Sequence, residues 1–211
     1  MRRRRRSRLG SLLLAAALLA TAPSCRPKAP NLYLSTGRTI VCLGDSITFG
    51  VGAEPGQSYP ERLSALLGVP VINAGVSGDT TAGGLARLDD VLAQDPWLVI
   101  VELGGNDFLR QVPLTETEAA LRKIADRLLR AKVVPVFVEL SGPLGLGRYA
   151  EVYRQVKKDF GVVLVEDALG DILVDPKLKS DQIHPNALGY QKLAEAVAEK
   201  VKPLLAARSK R

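Results

Sequence analysis

The 211-residue chain is long enough to bury one full hydrophobic core, and 46% of its residues are hydrophobic. Its formal net charge of +7 is concentrated at one end, because residues 1–24 hold six arginines and no acidic side chain. The rest of the chain is almost neutral, with 23 basic against 22 acidic side chains. This distribution argues against a nucleic-acid-binding domain, which would carry its positive charge on the folded surface.

Residues 1–24 have the pattern of an export signal, with an arginine-rich start followed by an apolar run over residues 9–22. The run is too short to span a bilayer comfortably. Residues 22–25, Ala-Pro-Ser-Cys, resemble the cleavage site of a bacterial lipoprotein, in which the cysteine becomes lipidated. We therefore expect an exported protein of the cell envelope or periplasm, anchored to a membrane by a lipid on Cys25. A plainly secreted protein with a free Cys25 is the alternative.

The proline-containing stretch 25–37 is predicted to be a tether between this anchor and one domain that covers residues 38–211. The second cysteine of the chain, Cys42, lies within a predicted buried strand, where cysteine usually acts as a small apolar residue. Two cysteines placed in this way cannot build a metal cluster, and no metal or other cofactor is expected.

Apolar runs and helical patterns alternate through the domain, with no hairpin signal between neighbouring strands. The predicted strands are residues 40–43, 69–73, 97–103, 133–140 and 162–165. The predicted helices carry apolar residues at helical spacing: Leu63, Leu66 and Leu67; Leu85, Leu88 and Leu92; Leu121, Ile124 and Leu128; Val152, Val156 and Phe160; Leu193, Val197 and Val201. This alternation predicts an α/β fold, a three-layer α/β/α sandwich around a five-stranded parallel sheet.

Several residues are typical of helix ends. Pro60 is expected in the first turn of the first of these helices, and Gly68 is expected to end it. Thr115 and Glu118 have the spacing of a capping box ahead of Leu121. Pro185 is expected to open the last helix.

Clusters of glycine and polar residues follow three of the predicted strands, at Gly44-Asp45-Ser46, Ser77-Gly78-Asp79 and Gly105-Asn106-Asp107. In a parallel sheet the carboxyl ends of the strands share one edge, so these clusters are expected to converge there. One cluster by itself would indicate no more than a turn, with Ser46 as a helix N-cap. Three of them on one edge predict a functional site.

His184 is the only histidine in the chain, so an imidazole base can be no other residue. Asp181 precedes it by three residues, and a single turn can aim the carboxylate at one ring nitrogen. The other ring nitrogen is then free to take a proton from a serine. The aspartates at 45, 79 and 107 are expected to cap helices, and no role is assigned to Glu102 in the third strand.

Taken together, these residues resemble the GDSL/SGNH hydrolase family in four stretches that follow the family's order. They are Gly44-Asp45-Ser46, the glycine at 78 within NAGVSGDT, Gly104-Gly105-Asn106-Asp107, and Asp181-Gln182-Ile183-His184-Pro185. The surrounding sequence is most like the bacterial periplasmic thioesterase/lysophospholipase (arylesterase) branch. The resemblance implies the flavodoxin-like SGNH hydrolase fold.

The resemblance also implies a serine esterase that forms an acyl-enzyme at Ser46. His184 would act as general base and then general acid, and Asp181 would orient the histidine. The oxyanion would be held by the N–H groups of Ser46 and Gly78 and by the side-chain amide of Asn106.

Specificity is expected to come from loops beside the site. The residues expected to line an acyl-chain groove are Phe108, Leu109, Leu144 and Leu146. The glycine-rich loop 141–148 predicts a shallow, adaptable site, and hence broad activity on carboxylic or thio esters of small molecules or lipids. A carbohydrate O-acetylesterase of the same family is the alternative, and a non-catalytic binding lipoprotein of the envelope is a further one. No nucleic-acid partner is expected, and the oligomeric state is left open.

Overall fold

The computed structural model describes residues 28–142 and 145–210. The predictions that concern the export signal, Cys25 and Leu144 lie outside these residues. Among the helices of the described ranges, none has the length and apolar character needed to cross a membrane.

Five parallel strands form the sheet at the centre of the domain. In chain order they are β1 (Thr39–Gly44), β2 (Val71–Gly75), β3 (Pro96–Glu102), β4 (Val134–Val138) and β5 (Val163–Val165). In space they follow the order β2-β1-β3-β4-β5. The chain therefore changes direction along the sheet between β1 and β3, which is where a parallel sheet opens a crevice at its carboxyl edge. Gly44, at the end of β1, pairs with Gly75 of β2 and with Glu102 of β3, so the three strands end at the same level.

Helices connect the strands and cover both faces of the sheet. They are α1 (Ser46–Phe49), α2 (Tyr59–Leu67), α3 (Thr81–Ala86), α4 (Leu88–Leu92), α5 (Gly105–Leu109), α6 (Leu114–Arg130), α7 (Gly147–Phe160), α8 (Ala168–Val174) and α9 (Ala187–Arg208). A short 3₁₀ turn, Pro176–Leu178, lies between the last two. The predicted α/β sandwich with a five-stranded parallel sheet is confirmed.

The two faces of the sheet contribute to separate core clusters, because successive strand residues point to opposite sides. Ile40 and Cys42 of β1 join a cluster with residues of α2, α8 and α9. Val41 and Leu43 join a second cluster with residues of α4, α6 and α7. All seven residues of β3 are buried, as a strand covered on both faces requires.

The described residues before β1 pack against the amino edge of the sheet, opposite to the predicted site. Leu32 is buried in the first core cluster. The Asn31 side-chain amide donates hydrogen bonds to the carbonyl oxygens of Leu129 at 2.9 Å and Val133 at 3.2 Å, just before β4. Part of the stretch 25–37 is thus attached to the domain.

Two of the predicted helix ends are wrong. Helix α6 begins at Leu114 with Pro113 as its N-cap, so Thr115 lies inside the first turn and makes no capping bond. Helix α9 begins at Ala187, and the side chain of Asn186 caps it by accepting from the N–H groups two and three residues ahead. Pro185 lies outside this helix and pairs with Lys179 in an isolated antiparallel bridge. The predictions for Pro60 and Gly68 in α2 are confirmed.

The described residues form more helices than the sequence pattern predicts. The single helix predicted from Leu85, Leu88 and Leu92 is two short helices, α3 and α4, which are separated at Arg87. The glycine pair at 83 and 84, within α3, lowers the helical propensity of the segment before this break. Helix α8 was not predicted, although Leu169, Ile172 and Leu173 have helical spacing.

Candidate active site

Ser46 lies at the sharp turn between β1 and α1, on the carboxyl edge of the sheet. Asp45 is the N-cap of α1, as predicted, and its Oδ1 accepts a hydrogen bond from the Ile47 N–H at 3.0 Å. A side chain at position 44 would clash, because its Cβ would lie 1.8 Å from Thr48 Oγ1. The turn therefore holds the Ser46 hydroxyl at the first residue of a helix, while the capping function belongs to Asp45.

The structure brings Ser46, His184 and Asp181 together from opposite ends of the domain. His184 Nε2 lies 3.0 Å from Ser46 Oγ, and His184 Nδ1 lies 2.7 Å from Asp181 Oδ2. Because the carboxylate can only accept, the hydrogen-bond network assigns the ring proton to Nδ1. Nε2 is then the acceptor that faces the serine hydroxyl.

Asp181 is held by the turn that carries the histidine. Its Oδ1 accepts hydrogen bonds from the N–H groups of Ile183 and His184, both at 2.8 Å. Burial raises the pKa of Asp181, but the hydrogen bonds from the His184 side chain and from these two N–H groups outweigh it and lower the pKa to about 2. Asp181 therefore remains ionised wherever the histidine is neutral.

Asn106 connects the nucleophile turn to the loop after β2. Its side-chain amide donates to Asp45 Oδ2 at 3.1 Å and to the carbonyl oxygen of Asp79 at 3.0 Å. Gly78 precedes Asp79 and has a φ of 82°, a conformation that favours glycine. Among the described residues, no acceptor contacts the N–H groups of Ser46 or Gly78. Asn106 thus bonds to the sequence neighbours of Ser46 and Gly78, the other two predicted oxyanion donors, although Gly78 does not line the cavity described below.

The prediction that Asp79 caps a helix is wrong. The cap of α3 is Thr80, whose side chain accepts from the Gly83 N–H. Asp79 Oδ2 instead accepts from Arg87 Nε at 2.7 Å, and the same guanidinium donates to the Gly44 carbonyl oxygen at 2.9 Å. This ion pair fixes the β2 loop against the end of β1.

Asp107 also has a structural role, but it does not cap its own helix. The carboxylate is buried and accepts from the N–H of Thr81 at 2.8 Å and from the Thr81 hydroxyl at 2.5 Å. Thr117 Oγ1 donates to it as well, at 3.1 Å. Asp107 therefore joins α5 to the first residue of α3 and to α6.

Glu102, which the sequence left without a role, lies directly behind the nucleophile turn. Its side chain is 3% exposed, and its Oε2 accepts a hydrogen bond from Thr48 Oγ1 at 2.8 Å. Its carboxyl group also contacts that of Asp45. Burial, together with this neighbouring carboxyl, raises the pKa of Glu102 well above its usual range. Burial also raises the pKa of Asp45, to about 6.

A cavity of about 190 Å³ opens beside Ser46. Its polar lining residues include Asp45, Ser46, Glu102, Asn106 and His184, which we call the polar wall. Its apolar lining residues include Phe108, Leu109, Leu140, Leu146, Leu173 and Ile183, which we call the apolar wall. Such a cavity suits a ligand with one reactive polar group and an apolar tail.

Three of the residues predicted to line an acyl groove are in the apolar wall: Phe108, Leu109 and Leu146. The fourth, Leu144, lies outside the described residues. Leu140, Leu173 and Ile183 were missed, because they come from parts of the chain with no motif of their own. Within the described ranges, no group of three or more His, Cys, Asp or Glu side chains is arranged to hold a metal.

Comparison with known proteins identifies the class. Residues 42–192 match the family described as GDSL-like Lipase/Acylhydrolase. This match covers well over half of the chain, which therefore belongs to that family. The predicted enzyme class, a GDSL/SGNH carboxylic ester hydrolase, is confirmed.

Individual relatives agree with this assignment. The chain is 33% identical over 176 residues to "Thioesterase 1/protease 1/lysophospholipase L1" of Escherichia coli (strain K12), covering 79% of this chain and 85% of the relative. The crystal structure of TesA is similar with a TM-score of 0.74 and 31% identity, covering 79% of this chain and 99% of TesA. A more distant relative is an acetylxylan esterase of Geobacillus stearothermophilus, 27% identical over 211 residues, covering 81% of this chain and 96% of that one.

Proposed function

We propose that the chain hydrolyses carboxylic or thio esters of acyl chains through an acyl-enzyme formed at Ser46. The observation that carries the proposal is the unbroken contact from Asp181 Oδ2 through His184 to Ser46 Oγ, with distances of 2.7 and 3.0 Å. This constellation opens on a mainly apolar cavity. It is the arrangement that activates a serine for acyl transfer.

In the first half of the reaction, Ser46 Oγ attacks the carbonyl carbon while His184 Nε2 takes the hydroxyl proton. The C=O electron pair moves to the carbonyl oxygen, and Asp181 stabilises the imidazolium that forms. Collapse of the tetrahedral intermediate breaks the ester bond, and the leaving alcohol or thiol takes the proton from His184. Water then repeats the same steps on the acyl-enzyme and releases the carboxylic acid.

The oxyanion of each intermediate would accept hydrogen bonds from the N–H groups of Ser46 and Gly78 and from the Asn106 amide. In the free protein both amide hydrogens of Asn106 are used, one by Asp45 and one by the Asp79 carbonyl. We expect the oxyanion to replace the Asp79 carbonyl as the acceptor of one of these hydrogens, while the other stays bonded to Asp45. The N–H groups of Ser46 and Gly78 need no such exchange, and donors arranged in advance stabilise the developing charge at low cost.

The apolar wall favours apolar acyl chains over charged acyl groups. The cavity of about 190 Å³ beside Ser46 leaves room for an acyl chain. Longer chains would extend past Leu109 and Ile183, both partly exposed at the cavity. This geometry supports the broad specificity predicted from the sequence, of the arylesterase, lysophospholipase or thioesterase type.

A panel of p-nitrophenyl esters from acetate to palmitate, a lysophospholipid and an acyl thioester tests this proposal. Ser46→Ala provides the blank. We expect hydrolysis of both short and longer acyl esters by the wild type. Restriction to acetyl groups would contradict the proposed breadth, and equal rates for wild type and Ser46→Ala would contradict the acyl-enzyme.

The second candidate function is deacetylation of a carbohydrate, which the acetylxylan esterase among the relatives favours. Side-by-side assays with acetylated xylan and a lysophospholipid distinguish the two. Faster release of acetate from xylan would favour this candidate over the acyl-chain esterase.

We further propose that the protein is exported and lipid-anchored at Cys25. The arginine-rich start, the apolar run and the Ala-Pro-Ser-Cys stretch support this location. Metabolic labelling with palmitate tests it: the wild type should incorporate label, and Cys25→Ala should not. An unlabelled wild type in the culture medium would indicate a secreted protein instead.

A further inference from the structure

A row of buried polar side chains runs from the core to the cavity behind Ser46. Tyr59 lies 3.2 Å from Thr48 Oγ1, and Thr48 Oγ1 donates to Glu102 Oε2 at 2.8 Å. Glu102 contacts Asp45, and Asp45 Oδ2 accepts from the Asn106 amide at 3.1 Å. Because the Thr48 hydroxyl donates its hydrogen bond to Glu102, Tyr59 must be the donor in the bond to Thr48. Every hydrogen bond in the row is therefore directed towards Asp45.

The contact between the two carboxyl groups needs a proton. Both side chains are at least 97% buried, and in the described part of the chain neither forms an ion pair with lysine or arginine. Two carboxylates in contact at a buried site repel each other, whereas a carboxylic acid and a carboxylate attract. The other titratable groups that act on the pair are Cys42, Tyr59, Tyr153, Tyr190 and His184.

We propose that Glu102 is a positioning residue for ester hydrolysis. It holds the one proton that the pair shares and donates it to Asp45, which keeps Asp45 aligned as the acceptor for the Asn106 amide. The proposal rests on the proposed function, since Asn106 matters only if an oxyanion forms.

Asp45 connects Glu102 to the residues that would contact the substrate. Its Oδ1 holds the Ile47 N–H in the turn that carries Ser46, and its Oδ2 holds the Asn106 amide. A hydrogen bond from Glu102 fixes the carboxylate plane between these two donors. Without it, the carboxylate would be buried with one partner missing, and the amide would lose its fixed orientation.

Glu139, at the end of the neighbouring strand β4, provides a control for Glu102. It directly follows β4 and its side chain is fully buried, but it faces a cation: Arg154 Nη2 lies 3.2 Å from Glu139 Oε1. Glu139 does not line the cavity. The chain thus holds two buried glutamates at neighbouring strand ends, one beside an arginine and one beside another carboxyl group.

The test compares Glu102→Leu, Glu102→Gln and Glu139→Gln by steady-state hydrolysis of a p-nitrophenyl ester. Glu102→Leu should lower kcat by about tenfold and change KM by less than about twofold, because an alignment in the transition state is lost. Glu102→Gln should restore most of that loss, since its amide can donate to Asp45 while its oxygen accepts from Thr48. Glu139→Gln should lower the melting temperature and leave kcat unchanged.

Infrared spectroscopy provides a readout that does not depend on activity. At neutral to mildly alkaline pH, the wild type should show the C=O stretch of a protonated carboxyl group, which Glu102→Gln removes and Glu139→Gln does not. Absence of this band from the wild type would overturn the proposal, as would a loss of kcat in Glu102→Gln as large as in Glu102→Leu. If Glu102→Leu does not fold, a tenfold loss of kcat in Glu102→Gln overturns it. A wild type without esterase activity would refute the proposed function, while the band would still test the shared proton.

Discussion

The polar and apolar walls of the cavity are held in place in different ways. Directional hydrogen bonds join side chains of the polar wall in pairs: Ser46 donates to His184, and Asn106 donates to Asp45. The apolar wall is assembled from separate parts of the chain, including α5 and α8, and Leu109 and Ile183 are 51% and 41% exposed. A bonded wall fixes reacting atoms, whereas a packed and partly exposed wall adapts to the shape of its ligand.

Because of this difference, the two walls are expected to control different properties of the enzyme, its rate of reaction and its choice of ester. Groups that contact the reacting carbonyl stabilise the transition state, and removing one costs orders of magnitude in rate. Apolar groups that contact an acyl chain contribute about 1–3 kcal/mol of discrimination for each methylene. We therefore expect changes in the polar wall to act on kcat, and changes in the apolar wall to act on the choice of ester.

The largest effect is expected from His184→Ala. Loss of the only imidazole removes the base that takes the Ser46 proton, so kcat should fall by roughly 10⁴-fold or more. Steady-state hydrolysis of a p-nitrophenyl ester measures this, with the exposed Lys177→Ala from the preceding 3₁₀ turn as the control. A His184→Ala variant within tenfold of the wild type would show that another group is the base.

Asn106→Ala should have the next largest effect. It removes one oxyanion donor and leaves the two backbone donors, so kcat should fall by about 10²–10³-fold while KM changes little. Kinetics on the same ester measure the two constants separately, and the melting temperature shows whether the fold is retained. A rise in KM with unchanged kcat would place Asn106 in ground-state binding instead.

Acidic pH should reversibly lower the activity that depends on the polar wall. His184 must be neutral to accept a proton, so kcat/KM should fall at acidic pH. Asp45 takes up a proton in the same range, because burial raises its pKa to about 6. Asp181 contributes nothing there, because its pKa is lowered to about 2 and it stays ionised. A flat profile of kcat/KM down to pH 4 would contradict the assignment of the base.

The smallest effect is expected from the apolar wall, and it should depend on the substrate. Leu173→Ala removes a side chain that lines the cavity, so kcat/KM for an octanoate ester should fall by about tenfold, with little change for the acetate ester. Val174→Ala is the matched control, since the adjacent valine is 54% exposed and does not line the cavity. Equal losses on both esters would mean that Leu173 supports the fold and not specificity.

The two walls also differ in how far the sequence predicts them. Apart from Glu102, the residues of the polar wall stand in short motifs directly after β1 and β3 and before α9, and parallel strands bring their carboxyl ends to one edge. Ser46, Asn106, Asp181 and His184 could therefore be placed together before the fold was known. Their distances to one another depend on the helix caps and loops, which the sequence predicted less well.

Glu102 and the apolar wall show what the sequence leaves open. Glu102 stands in a strand with no second polar residue beside it, and its partner Asp45 becomes its neighbour only through the pairing of β1 with β3. Leu173 lies in α8, a short helix between two loops that was not predicted. A contact between distant segments, with no motif at either end, can be found only from the fold.

The most direct test of the central claim is labelling with a fluorophosphonate, followed by mass spectrometry of the modified peptide. Such a reagent bonds only to a serine that a neighbouring base activates. We expect one label, on Ser46, which is absent from Ser46→Ala and strongly slowed in His184→Ala. An unlabelled wild type, or a label on another residue, would contradict the account.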